Sequence, residues 1–151
     1  MIEIVTYEPQ YARAFHDLNK EWITTFFEME AEDYKYLENP ETYIINQGGY
    51  IFIALFDKNP VGACALVKHG NNEYELSKMA VSPKAQGQKI GQLLAEKIIA
   101  TAKDLGIAKL YLITNSILKP AIALYEKLGF KHVQNFTSVY ARGDVKMELL
   151  L

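Results

Sequence analysis

Apolar residues recur with two different periods in this sequence, and each period predicts a class of element. Short apolar runs bounded by glycine, proline, asparagine or aspartate are typical of strands. They predict strands at Ile2–Thr6, Tyr50–Phe56, Pro60–Lys68, Tyr74–Val81, Lys109–Thr114, Phe130–Asn135 and Val145–Leu149. Short turns join the second, third and fourth of these runs, so we expect them to form an antiparallel meander.

Other segments have an apolar residue at every third or fourth position, which is the spacing of an amphipathic helix. The first of them contains Ala12, Phe15, Leu18, Trp22 and Phe26. Further helices are predicted at Glu32–Leu37, Ile90–Leu105 and Pro120–Leu128, with a short helix or turn at Glu41–Asn46.

The order of these elements predicts the fold class. We expect one mixed α/β (α+β) domain over residues 1–151. Its central sheet should be mostly antiparallel, with about six or seven strands and about four helices packed on it. The fourth and fifth strands are joined through a helix, so we expect them to be parallel.

Composition and charge exclude several classes of protein. Half of the residues (50%) are hydrophobic and the net charge is −2, which is typical of a globular chain and lacks the basic excess of a nucleic-acid surface. No apolar run approaches the roughly 20 residues that span a bilayer, and no signal peptide is recognisable. We therefore expect a cytoplasmic protein with no nucleic-acid partner and no membrane.

Cysteine and histidine usage excludes two kinds of site. Cys64 is the single cysteine, so there is no internal disulfide, and it lies in the apolar run Val61–Val67. A small buried hydrophobe fits that position better than a catalytic thiol, which needs a positive and partly exposed setting. No histidine has metal-ligand spacing with another ligand, so no metal is expected.

The segment Gln86–Gly91 connects a predicted strand to a predicted helix and is a candidate phosphate site. Glycine in such a turn allows close approach of the backbone to a ligand, and the first amides of a helix are unpaired and carry positive partial charge. Phosphate groups bind there without a dedicated basic side chain. The segment lacks the P-loop and dinucleotide patterns, so by itself it is also compatible with an ordinary strand–helix connection.

The segments Glu75–Leu94 and Ala121–Phe130 together resemble motifs A and B of the GNAT superfamily of N-acetyltransferases. Motif A has Gln/Arg-x-x-Gly-x-Gly/Ala after an Ala-Val-x-Pro strand end, and motif B is usually Ala-x-x-Leu-Tyr-x-Lys-x-Gly-Phe. The resemblance covers about Val61–His132, and the order of elements also matches. Two departures are evident: Lys89 occupies the place of the first motif glycine, and Leu118 occupies a place where the family often has asparagine, with Asn115 upstream.

The resemblance implies a GNAT-like sheet whose fourth and fifth strands are parallel and splayed, with acetyl-CoA between them and CoA as product. The amides of Met79 and Val81 would face the cofactor, and the amides from Gln88 to Gly91 would hold its pyrophosphate. A lysine at position 89 must then adopt an allowed helical conformation. The implied cofactor-binding residues are Met79, Ala80, Val81, Gln86, Gly87, Gln88, Lys89, Ile90, Gly91, Gln92 and Asn115.

The resemblance also implies two catalytic residues, Tyr125 and Glu75. Tyr125 would protonate the departing thiolate, and Glu75 would deprotonate the acceptor amine, which is mostly ammonium at neutral pH. His69 is a weaker candidate for the base. Without the motifs, Tyr125 would be a buried helix aromatic and Glu75 a solvated strand residue. Strand alternation predicts one face for Glu75, Ser77 and Met79, and the other face for Leu76, Lys78 and Ala80.

The acceptor pocket is implied for the helices after the first strand, where aromatic and acidic residues are frequent. The expected acceptor contacts are Trp22, Phe26, Glu28, Tyr36 and Tyr140. Rings and carboxylates would suit a cationic amine, whereas Arg142 would favour an acceptor with a carboxylate. An alternative account makes the aromatics core and the acids a solvated helix face, and the sequence leaves this open.

The resemblance therefore implies an N-acetyltransferase that transfers the acetyl group of acetyl-CoA to a small-molecule or peptide amine by direct attack in a ternary complex. One alternative is an acyl-CoA-binding regulatory module without catalysis, and another is an α/β interaction domain without a cofactor. A homodimer stays open, because members of the family often dimerise and the apolar end Leu149–Leu151 would suit a pairing edge.

Overall fold

A computed structural model describes the backbone of residues 1–151 and every side chain except that of Asn71. The strands are β1 (Ile2–Thr6), β2 (Tyr50–Phe56), β3 (Asn59–Lys68), β4 (Tyr74–Val81), β5 (Lys109–Thr114), β6 (Lys131–Val133) and β7 (Val145–Leu150). The helices are α1 (Ala12–Phe26), α2 (Ala31–Glu38), α3 (Pro40–Tyr43), α4 (Ile90–Asp104) and α5 (Lys119–Lys127). The predicted elements are all present, with ends that differ by about three residues at most, the largest difference being at the end of α3.

The described strands form one sheet in the order β1-β2-β3-β4-β5-β7-β6. The pairing of β4 with β5 is parallel and the other pairings are antiparallel. This confirms the predicted fold class. β6 pairs with β7 at Lys146–Glu148 and forms the edge of the sheet there, and the described pairing does not extend to Leu149 and Leu150.

Helices cover both faces of the sheet, and strand alternation divides the apolar side chains between them. The core on the α4 and α5 face includes Phe52, Ala54, Cys64, Leu66, Leu94 and Ile98. The core on the α1 to α3 face includes Phe15, Ile23, Leu37, Ile51 and Ile53. Cys64 is fully buried, and burial raises the pKa of its thiol, so it behaves as a small core hydrophobe.

A bulge interrupts β4 at Lys78. The pairing register with β3 shifts by one residue there, and Lys78 has a φ of 55°. After the extra residue the alternation reverses, so Met79 packs against the α4 core while the Lys78 side chain reaches Asp33 on the other face. The expectation that Glu75, Ser77 and Met79 share one face is therefore wrong, since strict alternation assumes a strand without a bulge.

Five residues around the bulge form a buried polar network, here called the Asp33 cluster: Glu30, Asp33, Lys78, Tyr140 and Arg142. Asp33 is fully buried and accepts from Lys78 Nζ at 2.7 Å. It also accepts from both terminal nitrogens of Arg142, at 2.8 Å and 2.7 Å. Lys78 Nζ donates in addition to the Tyr140 hydroxyl at 2.8 Å. A buried carboxylate needs this many partners because its desolvation is costly.

Glu30 joins the cluster to the loop between β6 and β7. Its backbone N–H donates to Asp33 Oδ2 at 2.9 Å, as part of a capping box at the start of α2. Its carboxylate accepts from the Ala141 backbone N–H at 2.9 Å and from Arg142 Nη1 at 3.2 Å. The cluster therefore connects α2, the bulge in β4 and this loop, which together border one end of a cleft.

The charges of the cluster set the pKa of Asp33. Burial by itself would raise that pKa, but the hydrogen bonds from Arg142 and the charge of Lys78 outweigh burial and lower it below its ordinary value. A carboxyl whose folded pKa is lowered stabilises the fold above its unfolded pKa of about 3.9. This stabilisation is lost as the pH falls through the folded pKa.

We expect Asp33→Asn to lower the free energy of unfolding by about 3–5 kcal/mol, because it leaves the Lys78 ammonium and the Arg142 guanidinium without their shared counter-charge. For a chain of this size the fall in Tm is on the order of 10 °C. Calorimetric unfolding at neutral pH measures both quantities. Since the benefit of Asp33 is lost in acid, the difference from the wild type should shrink below about pH 4.

Glu148→Gln is the matched control for this substitution. Glu148 lies 3.2 Å from the Lys109 ammonium in a partly exposed ion pair, and exposed pairs contribute less than about 1 kcal/mol. Equal losses of stability in the two variants would contradict the role assigned to Asp33.

Candidate active site

A cleft opens in the sheet where β4 and β5 separate. Tyr74 pairs with Leu110 and Glu75 with Tyr111, and the described pairing of the two strands ends there. Beyond this point the strands enclose a cleft of about 390 Å³, bordered by α1, the starts of α4 and α5, and the loop between β6 and β7. A concave site of this size, mainly apolar with a few polar groups, is typical of a small-molecule site.

The open edge of β4 presents backbone amides to the cleft. The N–H of Ser82 donates to the Val61 carbonyl in β3 at 2.7 Å. Successive N–H groups of a strand point to opposite edges, so the N–H groups of Val81 and Met79 point away from β3 and toward the cleft. A ligand that carries amide or carbonyl groups can therefore pair with this edge as a further strand would.

The N-terminus of α4 borders the same cleft. The first backbone bond into the helix joins the Leu93 N–H to the Lys89 carbonyl at 3.0 Å. The N–H groups of Ile90, Gly91 and Gln92 precede it and have no partner within the helix. Together with the helix dipole they form a site for an anion.

Lys89 occupies the residue before α4 in a left-handed conformation, with φ 58° and ψ 29°. Glycine adopts this conformation freely, whereas other residues are strained in it by roughly 1–2 kcal/mol. The expectation that Lys89 takes an allowed helical conformation is therefore wrong, because the residue lies in the left-handed region. That region favours glycine, which is the residue that the motif usually has at this place.

Tyr125 extends from α5 to the middle of the cleft. It is buried, its ring packs edge-on against Phe130, and its hydroxyl lies 3.9 Å from the Met79 sulfur. Burial raises the pKa of Tyr125, so the phenol is protonated throughout the neutral range. The hydroxyl is thus a proton donor that already faces a sulfur atom.

Glu75 lies at the closed end of the cleft, at the last paired position of β4. Its side chain is 11% exposed, and its Oε1 lies 2.8 Å from His69 Nε2. The His69 side chain is 30% exposed and lies outside the cleft lining. The cleft therefore ends in a carboxylate that is connected to the surface through an imidazole.

The wall near Glu75 combines aromatic rings with the Asp33 cluster. Trp22, Phe27 and Tyr140 border the cleft there. Lys78 Nζ lies 4.5 Å from the centre of the Tyr140 ring, and the Arg142 guanidinium lies 4.6 Å from the same ring. Because Asp33 and Glu30 bind both cations, this wall presents rings and no unpaired cation among the described side chains.

The structure brings most of the predicted site residues together. Those that line the cleft are Trp22, Glu75, Met79, Ala80, Val81, Gln86, Gly87, Lys89, Ile90, Gly91, Gln92, Asn115, Tyr125 and Tyr140. Gln88 is exposed beside the cleft and outside its lining. The Asn115 side chain donates to the Arg142 carbonyl at 2.7 Å and accepts from the Ile117 N–H at 2.9 Å, so it also fastens the β6–β7 loop.

Three predicted acceptor contacts lie outside the cleft lining. Phe26 is 45% exposed on α1, and Glu28 is exposed after the end of that helix. Tyr36 is buried in the core on the α1 face, with its ring centre 5.8 Å from Lys78 Nζ. Helical spacing indicates which face a residue occupies, but it does not indicate how far along the helix the cleft extends.

Sequence reasoning missed Asn19 and Lys78 as lining residues and Asp33 as the centre of the polar cluster. One signal was available, namely a lysine in the middle of β4, a strand predicted to lie inside the sheet. Lysine is almost never fully buried unless it is paired. The sequence does not show which acidic residue would be its partner, because Asp33 is distant along the chain.

Two general findings bear on the class of site. None of the described helices has the length and apolar character needed to cross a membrane. Among the described side chains, no three or more histidines, cysteines or acids are grouped so that they could hold a metal ion.

Comparisons with known proteins agree with this architecture. Residues 13–130 match the model of the acetyltransferase (GNAT) family. Over 126 residues the chain is 28% identical to the ribosomal protein bS18-alanine N-acetyltransferase of Escherichia coli (strain K12), covering 83% of this chain and 85% of that protein. It is 36% identical over 76 residues to an uncharacterized N-acetyltransferase of the same organism, YjgM, where the match covers 50% of this chain and 46% of that protein.

Solved structures are also similar. An acetyltransferase of the GNAT family from Staphylococcus aureus Mu50 superposes with a TM-score of 0.87 at 25% identity, covering 98% of both chains. The PaiA N-acetyltransferase from Thermoplasma acidophilum, solved in complex with coenzyme A, has a TM-score of 0.78 at 19% identity, covering 100% of this chain and 99% of that one. The second similarity concerns the fold alone.

Proposed function

The chain belongs to the GNAT acetyltransferase family, and on that premise we propose that it transfers the acetyl group of acetyl-CoA directly to an amine while both substrates are bound. It would act as one domain over residues 1–151. The observation that carries the proposal is the opening between β4 and β5. Amide donors line one edge of this cleft, a helix N-terminus borders it, a phenol lies at its middle and a carboxylate at its closed end.

The residues of the cleft fit a CoA thioester. The N–H groups of Met79 and Val81 suit the amides of a pantetheine arm, and the Met79 N–H suits a thioester carbonyl as a single-donor oxyanion site. The free amides at the start of α4 suit a pyrophosphate. A Cβ at Gly91 would make ordinary van der Waals contacts with the Met79 sulfur at 3.5 Å and with Leu124 Cδ2 at 3.7 Å, so this position borders the cleft closely.

Acetyl-CoA supplies an activated acyl group on a thiolate leaving group, and the remaining chemistry depends on the chain's own side chains. Glu75 takes a proton from the acceptor ammonium, either directly or through water, and so produces the nucleophilic amine. Tyr125 gives its phenolic proton to the sulfur as the carbon–sulfur bond breaks, and the second proton of the attacking nitrogen, released as the amide forms, restores the phenol. The Tyr125 hydroxyl lies 3.9 Å from the Met79 sulfur and so is close to the open edge of β4, along which the thioester would bind.

Direct attack is favoured over a covalent acyl-enzyme. Cys64 is fully buried in β3, and burial raises the pKa of its thiol, so it is a poor nucleophile at neutral pH. Its Sγ is directed at the Ser77 carbonyl at 3.6 Å and does not line the cleft.

The charges at the closed end indicate the class of acceptor. Arg142 would attract a carboxylate if it were free, but its terminal nitrogens bind Asp33 and Glu30. Glu75 and the aromatic wall remain, and they suit an ammonium on an apolar body without a neighbouring carboxylate. A peptide N-terminus has this chemistry, and the Escherichia coli relative is named for N-acetylation of an alanine of ribosomal protein bS18.

Titration calorimetry with acetyl-CoA tests donor binding, with dephospho-CoA and ATP as controls. We expect saturable binding in the micromolar range that the controls do not match. Lys89→Asn and Lys89→Gly should retain this affinity within a few-fold, because both residues tolerate the left-handed conformation. Lys89→Val should weaken binding about tenfold or more, because a β-branched residue strains that turn.

The Lys89 variants separate backbone geometry from charge. All three variants lose the ammonium, so a purely electrostatic role would weaken binding equally in each and make the wild-type affinity depend strongly on salt. Equal losses in Lys89→Asn and Lys89→Val would contradict the backbone role. Absence of acetyl-CoA binding by the wild type would contradict the proposed function itself.

Tyr125→Phe tests the general acid. We expect kcat to fall by about 10²-fold or more with little change in acetyl-CoA affinity, because the substitution removes only the proton that the leaving thiolate needs. CoA release under single-turnover conditions measures the chemical step. Tyr50→Phe is the control, since Tyr50 stacks on Phe52 away from the cleft, and similar rates for the two variants would refute the assignment.

Matched amines test the acceptor class. Phenylalaninamide and phenylalanine differ in whether a free carboxylate stands beside the amine. We expect the amide to be acetylated with kcat/KM at least about tenfold higher, because Arg142 is not available to bind a carboxylate and Glu75 repels it. Equal or reversed preference would show that Arg142 or Lys78 is released from Asp33 when the acceptor binds.

A further inference from the structure

The contact between His69 and Glu75 bears on how the proposed reaction releases its proton to solvent. Each turnover deposits a proton on Glu75, whose side chain is only 11% exposed at the closed end of the cleft. With donor and acceptor in the cleft, release of this proton through the cleft would have to wait until a product leaves. A route on the other side of the carboxylate would let the base reset while ligands are still bound.

His69 offers a second route from the opposite side. Its Nε2 lies 2.8 Å from Glu75 Oε1, and its side chain is 30% exposed. The imidazole is outside the lining of the cleft, so bound substrates do not cover it. Its ring centre lies 6.0 Å from that of Tyr111, and its backbone N–H donates to the Glu73 carbonyl at 2.7 Å, which fixes the turn that carries it.

We propose that His69 is a positioning residue for the reaction, which orients the Glu75 carboxylate and conducts its proton to solvent. The inference rests on the proposed role of Glu75 as general base. His69 acts through Glu75 and does not touch the acceptor. Of the described histidines, His16 pairs with Asp17 and His132 with Glu126, and neither acid lines the cleft.

The proton transfers balance without any further reactant. The N–H bond of the acceptor ammonium breaks, its electron pair stays on nitrogen, and an O–H bond forms on Glu75. In the resting state the Nε2–H of His69 donates to the Glu75 carboxylate and orients it. Once Glu75 is protonated, the imidazole exchanges with solvent to the Nδ1–H tautomer, so that its Nε2 lone pair accepts the O–H of Glu75. The O–H proton then passes to Nε2 as the Nδ1 proton leaves to water, which restores both the carboxylate and the starting tautomer.

Other titratable groups surround this pair and act on its charge. Burial and the negative charge of Glu75 together raise the pKa of three nearby phenols, those of Tyr36, Tyr111 and Tyr140. All three are therefore neutral at physiological pH. Lys78 is buried and interacts electrostatically with Glu75, and the carboxylate of Glu73 acts on Tyr111. The groups around the pair are therefore the three neutral phenols, Lys78 and Glu73.

His69→Gln and His69→Gly test the relay together. Glutamine can still donate a hydrogen bond to Glu75 but cannot carry a proton, so we expect kcat to fall about tenfold with KM for acetyl-CoA unchanged. In His69→Gly, added imidazole should restore most of the lost kcat in a saturable way. His132→Gln is the matched control, because His132 lies 2.9 Å from Glu126 in an exposed pair remote from the cleft.

The outcomes distinguish the role of His69 as a proton relay from the role of Glu75 as the general base. Wild-type kcat and an unchanged pH–rate profile in His69→Gln would overturn the relay, as would a loss in His69→Gly that imidazole does not restore. Acetyl-CoA affinity reports whether each variant is folded. If Glu75→Gln keeps full activity, Glu75 is not the general base and the relay is overturned with it. If Glu75→Gln is inactive while the His69 variants stay fully active, only the relay is overturned.

Discussion

A buried carboxylate with two cationic partners is the contact on which the shape of this molecule's cleft depends. Asp33 is fully buried, so it must bind Lys78 and Arg142 or remain as an unpaired charge. Each partner comes from a different part of the chain, and each is held where the carboxylate requires it. The bulge in β4 turns Lys78 to that face, and the β6–β7 loop folds over α2 to bring Arg142 there.

The contacts of Asp33 also stabilise the region in which β4 and β5 separate. Parallel strands normally pair along their length, yet β4 and β5 separate after Glu75 and leave backbone amides unpaired. The bulge adds local twist to β4, while the loop carrying Arg142 follows β6 and is bound through Asn115 just after the end of β5. Unpaired amides are costly unless water or a ligand satisfies them, and a thioester with a pantetheine arm supplies complementary groups.

Sequence patterns predict the elements well because burial periodicity is a local property. The strand Tyr50–Phe56 and the helix starting at Ile90 were predictable from apolar spacing and turn residues alone. The bulge at Lys78 was not, because one extra residue reverses every later side chain without a signature in the apolar pattern. The partners of Asp33 and the contact of Glu75 with His69 depend on tertiary packing, so spacing along the chain does not reveal them.

Lys89 illustrates why a motif is better understood as a geometry than as a set of residues. The family pattern has glycine at this place, and a lysine would be expected to disturb a phosphate turn. The backbone nevertheless takes the left-handed conformation, and the amides from Ile90 to Gln92 stay directed out of the helix end. The strain of this turn, about 1–2 kcal/mol, is small beside the packing of α4 against the sheet. Anion binding here depends on backbone donors, so the site is retained with lysine in place of glycine. A residue-by-residue comparison with the motif would instead indicate that the site is absent.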